Sequence, residues 1–88
     1  MRFLVETKFT QAPTDEILAL IPAEIARGKA LDAEEIRLML YVAADRSGAW
    51  QVFQADAPAD VQHVIESFPL HPFVSATITP LAEAAEFE

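Results

Sequence analysis

The sequence predicts one α+β domain of order βαββαβ, in which a four-stranded antiparallel sheet carries two helices on one face. Three observations predict it. Apolar and polar residues alternate over Arg2 to Phe9, Glu35 to Ala43, Ala49 to Ala55 and Phe73 to Thr79, the period of a strand. Apolar residues recur every three to four positions after Thr14 and after Pro58, the period of a helix. With 88 residues there is room for a single core.

The first strand carries Phe3, Val5, Thr7 and Phe9 on one side and Leu4, Glu6 and Lys8 on the other. Gln11-Ala12-Pro13 ends it. Thr14 then supplies an N-cap, and Asp15 and Glu16 place acid where the helix macrodipole favours it. The first helix presents Ile17, Leu18, Ile21 and Ile25 as its buried stripe, weakening toward Leu31, and Pro22 predicts a kink or a restart. Gly28 is a possible earlier end.

In the second strand Ile36, Leu38, Leu40 and Val42 oppose Arg37, Met39 and Tyr41. Asp45-Arg46-Ser47-Gly48 is a turn sequence, so strands two and three form a hairpin whose second arm carries Trp50, Val52 and Phe53. Pro58-Ala59-Asp60 opens a short helix with Val61, Val64 and Ile65 buried, and Pro69 ends it. Val74, Ala76 and Ile78 oppose Phe73, Ser75 and Thr77 on the last strand. The domain spans residues 1–81, and residues 82–88 form a short acidic tail.

This order is the ferredoxin-like arrangement, whose second sheet face no helix covers. Leu4, Arg37, Met39, Tyr41 and Phe73 are assigned to that face. They are too apolar in sum to stand in water, and apolar residues make up 52% of the chain, so a homo-oligomer of at least two subunits, packed sheet to sheet, is expected.

Charge narrows the other partners. Fourteen acidic residues against six basic ones give a net charge of -8, which repels nucleic-acid backbones and anionic membrane surfaces. No apolar run reaches spanning length and Met1-Arg2-Phe3-Leu4 enters a strand directly, so a cytoplasmic location is expected. No cysteine is present to act as nucleophile or thiolate ligand. His63 and His71 lie eight apart without carboxylates at ligand spacing, so no metal site is expected.

The stretches Trp50-Gln51-Val52-Phe53, Asp60-Val61-Gln62-His63-Val64-Ile65 and Phe68-Pro69-Leu70-His71-Pro72-Phe73 resemble the second half of the muconolactone isomerase family. There a strand ending in Val-Phe precedes a short helix and a Leu-Pro-Leu-aromatic-Pro-aromatic turn. Position 71 is His where the family carries an aromatic ring, and the second strand holds Arg37 and Tyr41 where the family is richer in tryptophan and basic residues. The resemblance implies a dimeric α+β barrel and a small oligomeric isomerase that shifts a proton along an unsaturated lactone, using no metal or organic cofactor.

Such a reaction needs a base near the acidic carbon, a donor for the developing enolate oxygen and a cation for a substrate carboxylate. The candidates are Glu6 as base, Tyr41 as oxyanion donor and Arg37 as carboxylate anchor, with Lys8, Trp50 and Phe73 lining the ligand site. His71, held between two prolines, is a second candidate base. The competing reading pairs Glu6 with Arg37 or Lys8 in an ion pair that sets register without chemistry. Asp15, Glu16, Glu24, Glu34, Glu83, Glu86 and Glu88 are assigned to a solvated surface. Two other functions remain open: a non-catalytic small-ligand-binding or interaction module, and a monooxygenase-like protein of the same barrel class.

Overall fold

A computed structural model describes residues 1–83. The elements follow the order read from the sequence: β1 (Arg2–Phe9), α1 (Asp15–Ala33), β2 (Arg37–Val42), β3 (Gly48–Gln54), α2 (Pro58–Glu66) and β4 (Val74–Leu81), with a single 3₁₀ turn over His71–Phe73 before β4. All strand pairs are antiparallel, in the order β2-β3-β1-β4. The ferredoxin-like α+β fold is therefore present. Residues 84–88, which hold most of the acidic tail, lie outside the described residues.

The N-cap works as its chemistry suggests: Thr14 Oγ1 accepts from the Ile17 amide at 3.3 Å. No restart occurs at Pro22. One helix of 19 residues runs through it, and through Gly28, to Ala33. Proline lacks only the amide that would reach the Leu18 carbonyl. The helix ends in a Schellman turn: Ile36 donates to the Leu31 carbonyl at 3.0 Å and Glu35 to the Asp32 carbonyl at 3.1 Å. Glu35 takes the left-handed conformation there, with φ of 59°.

The core lies on the helix side of the sheet. Phe3, Val5 and Phe53 project from β1 and β3 to meet Leu31 of α1, Val61 and Ile65 of α2, and Phe68 beyond α2. Phe53 and Phe68 meet edge to face with centroids 6.3 Å apart. This cluster draws on the last turns of α1. The first half of that helix stands off: Ile17 is buried, but Leu18 and Ile25 each remain 52% exposed, so the expected apolar stripe is only partly sealed.

One strand departs from simple alternation. Arg37 pairs with Phe53 and Met39 with Val52, so two steps along β2 match one along β3, a β-bulge that contains Leu38. Because strand faces have period two, the extra residue sends Arg37 to the helix side while Met39 and Tyr41 stay on the bare side. The bare face thus carries Leu4, Glu6, Lys8, Met39, Tyr41, Trp50, Val52, Ser75 and Thr77, but not Arg37. Phe73 lies just before β4, in the 3₁₀ turn, and not in the strand to which the alternation assigned it.

Candidate functional site

Between the raised half of α1 and the sheet lies a cavity of about 640 Å³. Its walls are mostly aliphatic and aromatic: Phe9, Ile17, Leu18, Ile21 and Ile25 on one side, Leu40 and Val42 on the other, with Phe68 and Leu70 from the turn beyond α2. That size and lining suit a small organic ligand with a few placed polar groups.

The polar groups are few. Glu24 projects from α1 into this lining, and the Leu70 amide donates to its Oε1 at 2.9 Å. Burial raises the Glu24 carboxyl above its ordinary value, against the opposing pull of the Leu70 amide and of the Arg37 charge. Arg37, its side chain 9% exposed, donates through Nε to Asp32 Oδ1 at 2.7 Å and through Nη2 to Asp32 Oδ2 at 3.0 Å. That fork holds Asp32 below the usual carboxylate range. Arg37 Nη1 also donates to Gln51 Oε1 at 3.1 Å, and Gln51 is the one buried polar side chain among the described residues.

Lys29 and Arg46 line the same cavity. Half of the chain's six cations, Lys29, Arg37 and Arg46, therefore gather at one cavity of a protein whose net charge is -8. Glu24 and Asp32 line it too, and Asp32 neutralises Arg37, so Lys29 and Arg46 are the cations that face an anionic ligand there. Arg46 reaches its place through the hairpin turn, where it adopts φ of 65° and Asp45 Oδ1 accepts from the Ser47 amide at 2.9 Å.

The residues singled out in the sequence divide between two faces. Arg37 and His71 line the cavity. Glu6, Lys8, Tyr41 and Trp50 lie on the opposite, helix-free face, where Glu6 sits across from Trp50 and Thr77, and Tyr41 across from Trp50. Glu6 meets Lys8 at 3.4 Å, so of the two ion pairs considered for it the one with Lys8 forms. Glu6, Arg37 and Tyr41 do not converge, since the sheet separates the first and last from Arg37. Phe73 does not reach the cavity lining; its carbonyl accepts from the Thr10 amide at 3.0 Å. His63 is exposed on α2, and no group of three or more metal-ligating side chains occurs among the described residues.

Glu24 and Gln51 are the residues that reading by sequence alone misplaced or passed over. A signal for them exists. Ile17, Ile21, Glu24, Gly28 and Leu31 follow one another at steps of four, three, four and three, so Glu24 occupies an inward position of the apolar stripe. Gln51 likewise alternates between Ala49 and Phe53 on the inward side of β3. A polar residue at a core position is the informative departure.

The family model of muconolactone delta-isomerase matches residues 1–86. The chain belongs to the muconolactone delta-isomerase family. No curated protein sequence matches it. Among solved structures, muconolactone isomerase superposes with a TM-score of 0.81 at 20% identity, covering 94% of this chain and 90% of that one. The 5-chloro-2-hydroxyhydroquinone dehydrochlorinase of Burkholderia phenoliruptrix AC1100, solved in complex with 2,5-dihydroxybenzoquinone, superposes with a TM-score of 0.78 at 15% identity over 98% of both chains. At these identities the two structures support the fold, and the match over residues 1–86 supports the family.

Proposed function

We propose that the chain is an isomerase that moves a proton along a small unsaturated lactone or carboxylic acid bound between α1 and the sheet, with its own side chains supplying the chemistry. One observation carries this reading: a carboxyl group, Glu24, stands in an apolar cavity with its proton affinity raised by burial, and cations gather at the same cavity. A carboxylate with raised proton affinity is a stronger base toward a carbon acid than an exposed one.

In this reading the Leu70 amide fixes one Glu24 oxygen. The Glu24 carboxylate takes a proton from the γ-carbon of the substrate's α,β-unsaturated carbonyl, and the electron pair of that C–H bond passes through the double bond into an extended enolate. The same carboxyl returns the proton to the α-carbon, next to the carbonyl, so the double bond shifts by one position and no atom is gained or lost. Lys29 and Arg46 supply the positive field that holds a substrate carboxylate. His71, which also lines the cavity, is the second candidate for proton transfer.

Turnover of muconolactone by the wild type and by Glu24→Gln tests the base. Loss of turnover with folding intact supports it; unchanged turnover removes Glu24 from the reaction. A non-catalytic ligand-binding module is the second reading, favoured by the aliphatic rim of Leu18, Ile25, Leu40 and Val42, each at least 42% exposed. It predicts ligand binding with no turnover in either protein.

We also propose that a second copy of the chain covers the helix-free sheet face, closing the dimeric α+β barrel. Tyr41 is 66% exposed beside Trp50, and Leu4, Met39 and Val52 share their face, while the charged pair Glu6 and Lys8 is already self-neutralised. A symmetric sheet-to-sheet contact places each apolar face against its equal.

A further inference from the structure

We infer that Gln51 is the hydrogen-bond donor that receives the negative oxygen of the substrate, and that Arg37 acts by orienting it. This rests on the reading of the cavity as the isomerase site. The Gln51 side chain projects from the middle of β3 onto the cavity floor, on the same side as its strand partners Val5 and Leu40. Gln51 is 7% exposed.

Its orientation follows from chemistry. A glutamine amide offers an acceptor at one end and two donors at the other, and a guanidinium only donates. Arg37 Nη1 donates to Gln51 Oε1 at 3.1 Å, so a reversed amide would set donor against donor. Arg37 itself is anchored twice by Asp32, at 2.7 and 3.0 Å. The chain Asp32, Arg37, Gln51 therefore dictates which end of the amide is left over: Nε2, with its two N–H groups. Among the described residues Nε2 has no hydrogen-bond partner, yet no side-chain nitrogen or oxygen is both sealed and unpartnered. The cavity is where those donors are open.

A donor so placed does what the enolate requires. Proton removal by Glu24 moves negative charge onto the substrate's carbonyl oxygen, and a fixed N–H group in an apolar cavity stabilises that charge without reorganising. Gln51 touches the reacting system and is a catalytic residue in this scheme. Arg37 and Asp32 are positioning residues, since they act through it. The ligand chemistry implied is a planar unsaturated ring whose carbonyl or enolate oxygen lies over β3.

The test uses 2,5-dihydroxybenzoquinone, a planar ring with acidic enolic oxygens, as a binding probe, and muconolactone for turnover, with the full chain throughout. Gln51→Met removes both donors and keeps the length of the side chain. Gln51→Glu leaves only acceptors and gives Arg37 a second carboxylate. Both are expected to weaken probe binding about ten- to hundredfold. Both are also expected to lower kcat on muconolactone about 10²- to 10³-fold with KM changed little. The absorption of the bound probe should differ between wild type and Gln51→Met, a signature that a change in packing alone does not produce. Wild-type probe affinity and kcat in a folded Gln51→Met protein overturn the inference, as does a wild type that does not bind the probe. Failure of the isomerase reading looks different: probe binding remains sensitive to position 51 while muconolactone is not turned over by any variant.

Discussion

The guanidinium of Arg37 occupies the space that a side chain at Gly28 would need. A Cβ built on Gly28 would lie 2.6 Å from both terminal nitrogens of Arg37 and 2.8 Å from its Cζ. The buried glycine in α1 and the arginine beside the β-bulge thus fit together, one turn before the helix delivers Asp32 to the same guanidinium.

Gly28→Ala separates positioning from stability. In an ordinary helix the exchange would stabilise by about 1 kcal/mol. Here the methyl group must push aside a flexible side chain, so stability measured by urea unfolding is expected to stay within about 1 kcal/mol of wild type. Turnover of muconolactone and binding of 2,5-dihydroxybenzoquinone should fall, because the displaced guanidinium no longer orients Gln51. Undiminished binding and turnover would show that the Arg37 position does not matter.

Glu24 links stability to pH. Burial raises its folded value above the 4.5 of an ordinary glutamate, so between those two values the folded state holds more protons than the unfolded state. Its contribution is full below 4.5 and is lost as pH rises through the folded value. Glu24→Gln is therefore expected to gain stability relative to wild type as pH rises through that window, read from unfolding midpoints across pH. The same substitution should lower turnover about 10²- to 10⁴-fold. The rising limb of the wild-type pH–rate profile should lie above the ordinary glutamate range.

Glu35 holds φ of 59° at the end of α1. A side chain in the left-handed region costs about 1–2 kcal/mol, partly offset by the greater chain entropy that glycine loses on folding. Glu35→Gly is expected to stabilise the protein by roughly 0.5–1 kcal/mol in denaturant unfolding while leaving turnover alone. A destabilised variant would show that this turn is held by the glutamate side chain.

Trp50 tests the sheet-to-sheet contact. If a second copy covers the bare face, Trp50→Glu places a charge opposite Tyr41 in that contact and should convert an oligomer into single subunits in sedimentation at micromolar concentration. A wild type that already sediments as a lone subunit under those conditions removes the proposed contact.

Element order, the N-cap at Thr14, the span of β1 and the extent of α2 were legible in the residues, because period and capping are local properties. The Val-Phe strand and the proline turn pointed to the family for a similar reason: they are contiguous motifs. The site was less legible. Of the residues read as candidates, His71 and Arg37 line the cavity while Glu6, Tyr41, Lys8 and Trp50 lie on the other side of the sheet, and Glu24 reads in the sequence as one acid of a solvated surface.

What the residues determined by themselves, then, is the succession of strands and helices and which side chains each element carries inward by simple periodicity. Tertiary structure alone decided the side of the sheet on which Arg37 acts. One extra residue at Leu38 reverses strand alternation, and its presence depends on how β2 registers against β3. It also decided that α1 stands off the sheet at Leu18 and Ile25, so that the inward position of Glu24 opens on a cavity instead of a filled core. Both outcomes arise from contacts between segments distant in sequence, which no local pattern encodes.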